Sequence, residues 1–384
     1  MLKLLIIVGA RPNFIKIAPL IEEINRVNKL KYLRTYPLKF CLVHTGQHYD
    51  YEMSQIFFQD LKIPKPDYNL GVGSGSHALQ TAKIMEKLEP VILKEKPNLV
   101  IVVGDVNSTL AGALVAAKLR CSQLLITNYQ LPLIAHIEAG LRSFDMTMPE
   151  EINRRLTDHI SDLLFVTEPA GVKNLLNEGI HKEKIYLVGD IMIDALVKSK
   201  PKIQKSKILS KLNLKKKNYA VLTLHRPSNV DDKKILSNLI STFNEIQKKI
   251  KIIYPIHPRA KKQIKKFGFK TRLKKMKNFI ITSPIGYIDM IKLVRGSKFL
   301  MTDSGGLQEE TTFLKVPCLT LRETTERPIT IEKGTNILCK RNKEKIIKEV
   351  KKILSGKEKK GQTIRLWDGK TTERIVRILG EKII

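Results

Sequence analysis

The chain has 384 residues and carries 69 Lys and Arg against 37 Asp and Glu, a formal net charge of +32. That length suits two or three domains, and 42% hydrophobic with 28% charged residues is the balance of a globular chain with a full core. No stretch approaches the roughly 20 apolar residues of a membrane span. The four cysteines (Cys41, Cys121, Cys318 and Cys339) lie far apart without metal or redox spacing. A disulfide scaffold, a zinc ribbon and a transmembrane protein are thereby excluded, and a reduced, cytoplasmic setting is expected.

Lysine dominates the excess charge and clusters: the stretch from Lys198 to Lys217 contains no acid, and further groups span Lys261–Lys277 and Lys340–Lys360. Basic runs bind phosphate backbones, but these lack the interleaved aromatics that stack bases, and no nucleic-acid motif accompanies them. A solvated lysine-rich surface with no nucleic-acid partner is the expectation, and the lack of a spanning segment predicts no membrane partner. Such a field would also attract a small dianionic substrate.

In chain order, the strand-like runs of the first half are 2–9, 40–45, 99–105, 133–139 and 163–167. The first of these (LKLLIIVG) meets Arg11-Pro12 with no cleavage site and reads as a core strand, not a leader peptide. A second series runs through 186–190, 219–225, 251–257, 278–284, 298–304 and 318–322. Most are continuous apolar runs, which suits parallel strands buried on both faces. Amphipathic periods lie between them, such as Ile235, Leu239, Phe243 and Ile246 on one helical face. Alternating strands and helices predict an α/β fold, and the lysine-rich segment near 198–218 predicts two sheets in tandem.

Ligands of doubly wound sheets sit beyond the carboxyl ends of strands. The polar residues just past these runs are Arg11, His44, Asp105, Glu138, His225, His257, Asp303 and Ser304. Eight of them argue for a cleft between two facing domains. The chain has no GxGxxG after a strand, no GxxxxGK[ST], no HExxH and no GxSxG. GVGSGS (71–76) follows no strand and reads as a loop, so no cofactor and no metal is expected.

The strongest local signal is TDSGGLQEE (302–310), where a buried strand turns through Asp303-Ser304-Gly305-Gly306 into a helix. Free amides and the helix dipole make an anion site there, and paired glycines let phosphate oxygens approach. An N-cap serine before acidic first-turn residues reads equally as ordinary capping; Arg327, able to grip phosphate bidentately, tips the pattern towards diphosphate. Glu309 and Glu310 beside such a site suit acceptance of hydroxyl hydrogen bonds, as from a ribose diol. A second, acidic set comprises Asp105 and Glu138, each ending an apolar strand, and Glu150-Glu151 after Pro149. Glu150 is also a favourable first-turn charge. Carboxylates on one sheet edge against a basic second domain suggest acid–base chemistry, with His225 as cationic partner. His48 and His257 read more readily as structural histidines than as functional ones.

Together these segments resemble the UDP-N-acetylglucosamine 2-epimerase family, in its non-hydrolysing branch. The resemblance is carried in order by GARPNFIKIAP (9–19), TGQHYD (45–50), GDVNSTLAG (104–112), HIEAGLRS (136–143), MPEEINR (148–154) and VGDIMIDAL (188–196). It continues through LHRPSN (224–229), YPIHPR (254–259), DSGGLQEE (303–310) and TTERP (324–328). It implies a GT-B fold, two Rossmann-like doubly wound parallel-sheet domains facing a deep cleft: residues 1–180, completed by a C-terminal helix within 365–384, and residues 181–364. A cytoplasmic homodimer without redox cofactor is implied as well. Carried over residue by residue, acid–base or essential roles fall on Asp105, Glu138, Glu150 and His225. Contacts to the UDP-sugar fall on Arg11, Lys16, Ser304, Gly305, Gly306, Glu310 and Arg327, with Glu310 on the ribose. Gln47, His48, Arg142 and His257 are further candidates.

The implied reaction explains these residue types. Inverting C2 of an N-acetyl sugar means removing a C–H proton that no carbonyl acidifies; departure of UDP from C1 builds the positive charge that makes it removable. The leaving diphosphate must be stabilised, and protons must be handled on both faces of the ring, so at least two carboxylates are needed. Three departures stand out. The segment 120–133 is longer than the family's usual connection, and Ile285 and Met290 make the region around the base more apolar. Gln47 and His225-Arg226 fit a second-substrate activator site found in some members, whereas Asp50 and the arginine-free 69–80 do not.

Overall fold

The computed structural model describes residues 2–30, 37–47, 63–120 and 132–383. The first unit, Met1–Lys198 with Arg365–Ile384, is built on a seven-stranded sheet. Its strands are β1 (Leu2–Val8), β2 (Leu38–His44), β3 (Tyr68–Asn69), β4 (Leu99–Val103), β5 (Leu133–Ala139), β6 (Leu163–Val166) and β7 (Ile185–Leu187). Their spatial order is β3-β2-β1-β4-β5-β6-β7, every pairing parallel. The second unit, Ser199–Ile364, carries six: β8 (Tyr219–Thr223), β9 (Lys251–Pro255), β10 (Phe279–Thr282), β11 (Phe299–Thr302), β12 (Cys318–Thr320) and β13 (Asn336–Leu338). These run β10-β9-β8-β11-β12-β13, again all parallel. Both sheets therefore follow the doubly wound order 3-2-1-4-5-6, the first with one strand added.

The β-branched runs explain why. In β1, Leu4, Ile6 and Val8 enter one core layer with Phe14, Ile17 and Leu20, while Leu5 and Ile7 enter the opposite layer with Ala113, Ala116 and Leu119. In the second unit Ala220 and Leu222 face Leu239, Phe243 and Ile246, whereas Tyr219 and Val221 face Leu293 and Val294. Side chains alternate across the pleat, and both faces are covered by helices.

Two short edge strands, β3 and β13, were not foreshadowed by an apolar run; β3 has two residues and β13 three. The strand at 185–187 differs in another way. The sequence groups it with the second series, yet it pairs with β6 and closes the first sheet. Hydropathy marks a strand but not its partner.

The C-terminal helix Thr371–Ile383 belongs to the first unit, burying Ile375, Val376 and Leu379 in the layer that holds Leu4 and Ile6. Asp194 fixes its start: the fully buried carboxylate accepts from the Thr371 and Thr372 amides at 3.0 and 2.7 Å and from the Thr372 hydroxyl at 2.8 Å. The Trp367 indole nitrogen donates to the Thr167 carbonyl at 3.3 Å. Removing Asp194 leaves the two buried amides without that acceptor, at about 1–3 kcal/mol for each donor left unsatisfied. Asp194→Ala is therefore expected to lower unfolding stability by about 2 kcal/mol or more in urea denaturation, with Asp194→Asn intermediate.

Candidate active site

Because every strand is parallel, the carboxyl ends of each sheet share one edge, and the polar residues that follow the strands gather there. In the first unit that edge is organised by Asp158, which is completely buried. Burial alone would raise its carboxyl; His136 and Arg142 more than offset this and hold it below the ordinary value. Asp158 lies 2.7 Å from His136 Nδ1 and 2.7 Å from Arg142 and accepts from the Gly140 amide at 3.1 Å. His136 Nε2 in turn reaches the Gly104 carbonyl at 2.8 Å. The loops after β4 and β5 are thus tied to one another through a single buried anion.

Glu138 sits on that scaffold in an unusual backbone state. Its φ is +76°, the left-handed region, at the point where the β5–β6 register slips between Ile137 and Ala139. A β-bulge of this kind re-aims one side chain, and a non-glycine residue held there costs about 1–3 kcal/mol. The carboxylate is buried and forms an ion pair with buried Lys16. Gly104 makes room for the pair: a Cβ there would stand 3.1 Å from Lys16 Nζ and 3.3 Å from Glu138 Oε2.

Asp105, about one-third exposed, is held by Arg154 at 2.5 Å. Arg154 is buried and also holds Glu151 at 2.9 Å. Despite its burial, the Glu151 carboxyl is lowered by the Ser143 amide and by Arg154. Glu150, next to it in the first turn of the helix Pro149–Ile160, is half-buried. Gln47 is buried and accepts from the Ser108 hydroxyl at 2.7 Å. Arg142, a further candidate from sequence, is instead enclosed between Asp158 and Glu178. His48, the Arg11 side chain and most of the 120–133 segment lie outside the described residues.

In the second unit the same logic recurs around Asp303. Its fully buried carboxylate accepts from the His225 and Arg226 amides at 3.0 and 2.9 Å and from the Asn229 amide at 3.0 Å. His225 Nδ1 lies 2.7 Å away. Burial opposes ionisation, but His225 and the two backbone donors prevail, and the pKa falls to about 2. The ring is thereby fixed by Nδ1, leaving Nε2 on its outer side; one-third of the side chain is exposed. His257 stands beside it, ring centroids 5.6 Å apart, and caps its own helix by accepting from the Arg259 amide at 3.2 Å.

Ser304 is the N-cap of the helix Gly305–Leu314, and its side chain makes no capping bond there. Gly305 is required by close approach: a Cβ would stand 2.6 Å from the Arg327 guanidinium. Arg327, almost buried, is gripped by Glu309 at 2.5 Å and Glu326 at 2.7 Å. Arg322 pairs with Glu326 at 2.8 Å; burial, with Arg226 and Arg327 nearby, lowers its pKa. Three arginines around a helix N-terminus make a site for an anion with more than one negative group. Glu310 lies in the same helix. Burial, reinforced by Glu309 and partly offset by a hydrogen bond with Tyr287, raises its pKa to about 8. Ile285 and Met290 pack against the core layer formed by Leu293, Val294 and Leu300.

Sequence reasoning found the residues that end strands and missed those that hold them. Arg154, His136 and Asp158 act across long sequence separations, whereas Arg322 pairs locally with Glu326; the strand-end position of Asp303 does not reveal it as the anchor of His225. No group of His, Cys, Asp and Glu able to hold a metal occurs among the described residues, and no described helix is long and apolar enough to cross a membrane.

Two doubly wound units, one with an arginine-lined helix N-terminus, define the GT-B class of fold. Residues 31–380 match the family model described as UDP-N-acetylglucosamine 2-epimerase, and the chain belongs to that family. A UDP-N-acetylglucosamine 2-epimerase homolog of Methanococcus maripaludis is 47% identical over 98% of this chain and 99% of its own. The crystal structure of the Methanocaldococcus jannaschii UDP-GlcNAc 2-epimerase, in complex with UDP-GlcNAc and UDP, is similar with a TM-score of 0.88 and 44% identity, covering 99% of this chain and all of that one. A UDP-2,3-diacetamido-2,3-dideoxy-D-glucuronate 2-epimerase of Pseudomonas aeruginosa is 40% identical over 92% of each chain.

Asp303 carries a consequence for acid stability. A carboxyl held at about 2 in the folded chain contributes stability above its ordinary value near 3.8, and that contribution is lost as pH falls through the interval between them. Unfolding free energy is expected to drop between about pH 4 and pH 2, and Asp303→Asn is expected to flatten that part of the profile in denaturation curves taken across it.

Proposed function

We propose that this chain is an isomerase that epimerises C2 of UDP-N-acetylglucosamine to give UDP-N-acetylmannosamine, by elimination of UDP and its re-addition. The single observation that carries the reading is Glu138: a buried carboxylate on a strained bulge, paired with Lys16, at the edge that also holds Asp105 and Glu150. Strain of that kind persists where a side chain must be aimed.

In this reading the second-unit groups hold the nucleotide. The amides of Ser304, Gly305 and Gly306 and the Arg327 guanidinium receive the diphosphate, with His225 supporting its charge as it leaves. Arg11 and Lys16 are further contacts to it. Glu310 accepts from the ribose hydroxyls. The first-unit carboxylates then act on the sugar. As the C1–O bond breaks, its electron pair leaves with UDP; one carboxylate takes the C2 proton, and the C–H pair forms the C1–C2 double bond of a 2-acetamidoglucal. Protonation of C2 from the other face, with return of UDP to C1, gives the manno configuration. Two carboxylates on opposite faces are the minimum, and Asp105, Glu138 and Glu150 are the three available. No cofactor enters this scheme.

The resemblance to the Pseudomonas aeruginosa relative favours a second reading, the same inversion on a UDP-linked 2,3-diacetamido uronic acid. A homodimer in the cytoplasm is part of the proposal. Four large apolar side chains exposed close together in sequence, Phe144, Met146, Ile152 and Leu156, support the association.

Incubation with UDP-N-acetylglucosamine in deuterated water, followed by proton NMR, tests the reaction. A nucleotide-linked manno sugar with deuterium at C2 is the expected product. Free N-acetylmannosamine with UDP would replace isomerisation by hydrolysis, and a spectrum without exchange would overturn the substrate. Asp105→Asn, Glu138→Gln and Glu150→Gln are each expected to cut turnover by ~10²-fold or more while leaving UDP affinity within a few-fold; wild-type turnover in any of them removes that residue from the mechanism.

Glu310 gives a separate expectation. A carboxyl whose pKa is raised to about 8 costs stability once the pH exceeds its unfolded value of 4.5. Glu310→Gln is therefore expected to raise the thermal midpoint of the unliganded protein at pH 7. UDP affinity, measured by calorimetry, is expected to fall about tenfold as one of the two oxygens offered to the ribose diol is replaced by an NH2 donor.

A further inference from the structure

The net charge is divided very unevenly between the two units. Residues 199–364 hold 41 Lys and Arg against 13 Asp and Glu, +28 of the chain's +32, while the larger first unit holds 28 against 24. A general lysine bias in the coding sequence would fall on both units alike. Within the second unit the charge has a place. The four residues that precede each of β8 to β13 include eleven cations and one acid, Glu332; the four that follow each strand include five cations and two acids. Parallel pairing puts all six amino ends on one edge, so this edge carries about three times the net charge of the edge that bears His225 and Ser304.

Two ordinary explanations are too small. Each of the six helices that lead into these strands ends at this edge, and a helix C-terminus offers about half a negative charge, about three in all. Attraction of a small anionic substrate to the opposite edge would act across a five-residue strand, about 17 Å, or two screening lengths in physiological salt. The cations themselves stand in water: Lys215, Lys216, Lys248, Lys249, Lys275 and Lys277 are exposed. A polar groove of about 430 Å³ opens among them, lined by Lys215, Lys248, Lys249 and Lys251 with Asn213, Asn218 and Asn278. Lysines and side-chain amides of that kind suit a phosphate-bearing head group.

We propose that the amino edge of the second sheet is a docking face for an anionic lipid surface. Six strands about 4.8 Å apart make a front about 24 Å wide, broad enough for many lysines to meet a charged plane together. Ten of the eleven cations are lysine, which lacks the forked geometry that reads base edges. The aromatics that open these strands, Tyr219, Phe279 and Phe299, are buried and offer no stacking platform to a nucleic acid. The expectation of no membrane partner rested on the lack of a spanning segment, and a peripheral contact needs none. Docked by this edge, the protein keeps the other edge of that sheet open to a soluble substrate.

Co-sedimentation with vesicles tests the face directly. The intact protein is expected to bind vesicles containing about 30% phosphatidylglycerol at ~0.1 M salt, not pure phosphatidylcholine, and to be released at about 0.5 M. The exposed pairs Lys248→Glu/Lys249→Glu and Lys215→Glu/Lys216→Glu should each weaken binding about tenfold or more, with thermal midpoint and epimerase turnover unchanged. Equal binding to both vesicle types overturns the proposal, as does binding that survives both charge reversals. Tighter binding to duplex DNA than to vesicles at equal phosphate concentration would also overturn it and make the edge a nucleic-acid face.

Discussion

A buried carboxylate, kept ionised by a histidine together with an arginine in the first unit and backbone amides in the second, organises the strand-end edge of each unit. An isolated charge in such surroundings would cost several kcal/mol; it persists because its acceptor oxygens are satisfied by the loops it joins. Asp158 draws together Gly104, His136, Gly140 and Arg142. Asp303 does the same for His225, Arg226 and Asn229. Neither residue needs to touch a substrate to govern the edge. Each removes the freedom of the loops it joins.

Around these anchors the two units solve different electrostatic problems. The first presents carboxylates that are individually compensated, Glu138 by Lys16 and Asp105 by Arg154. Compensation keeps negative charge in a partly dry edge at bearable cost. The second crowds Arg226, Arg322 and Arg327 together and contains them with Glu309 and Glu326. In the proposed reading, a ligand with two phosphates would add negative charge to that cluster. Glu310, a carboxyl forced upwards by burial beside another acid, costs stability locally.

Much of this was legible in the amino-acid string because parallel strands advertise themselves. Continuous apolar runs such as β4 and β8 locate the sheets, and the polar residue that ends each run is a site candidate almost by construction. Glu138, Asp105, His225 and the Asp303–Gly306 turn were found this way. What stayed hidden is two-dimensional. A strand of two or three residues, as at β3 and β13, is too short to impose a period, and β7 shows its hydropathy but not its neighbour. Arg154 reaches 49 positions back to Asp105, and Asp303 reaches 78 positions back to His225; no local pattern encodes such a pairing. The left-handed backbone at Glu138 is invisible too, since the residue is a poor choice for that conformation and only the surrounding bulge enforces it.

The C-terminal helix that Asp194 caps makes the two units unequal in the order of their birth. The second is one unbroken stretch of chain and has its last strand once residue 338 has been made. The first waits longer, its Leu4 and Ile6 layer lacking Ile375, Val376 and Leu379 until residues 371–383 have followed. A nascent molecule therefore holds every strand of its second unit before the first unit's interior can be filled, and deleting residues 371–383 would strike the layer built by the opening strand.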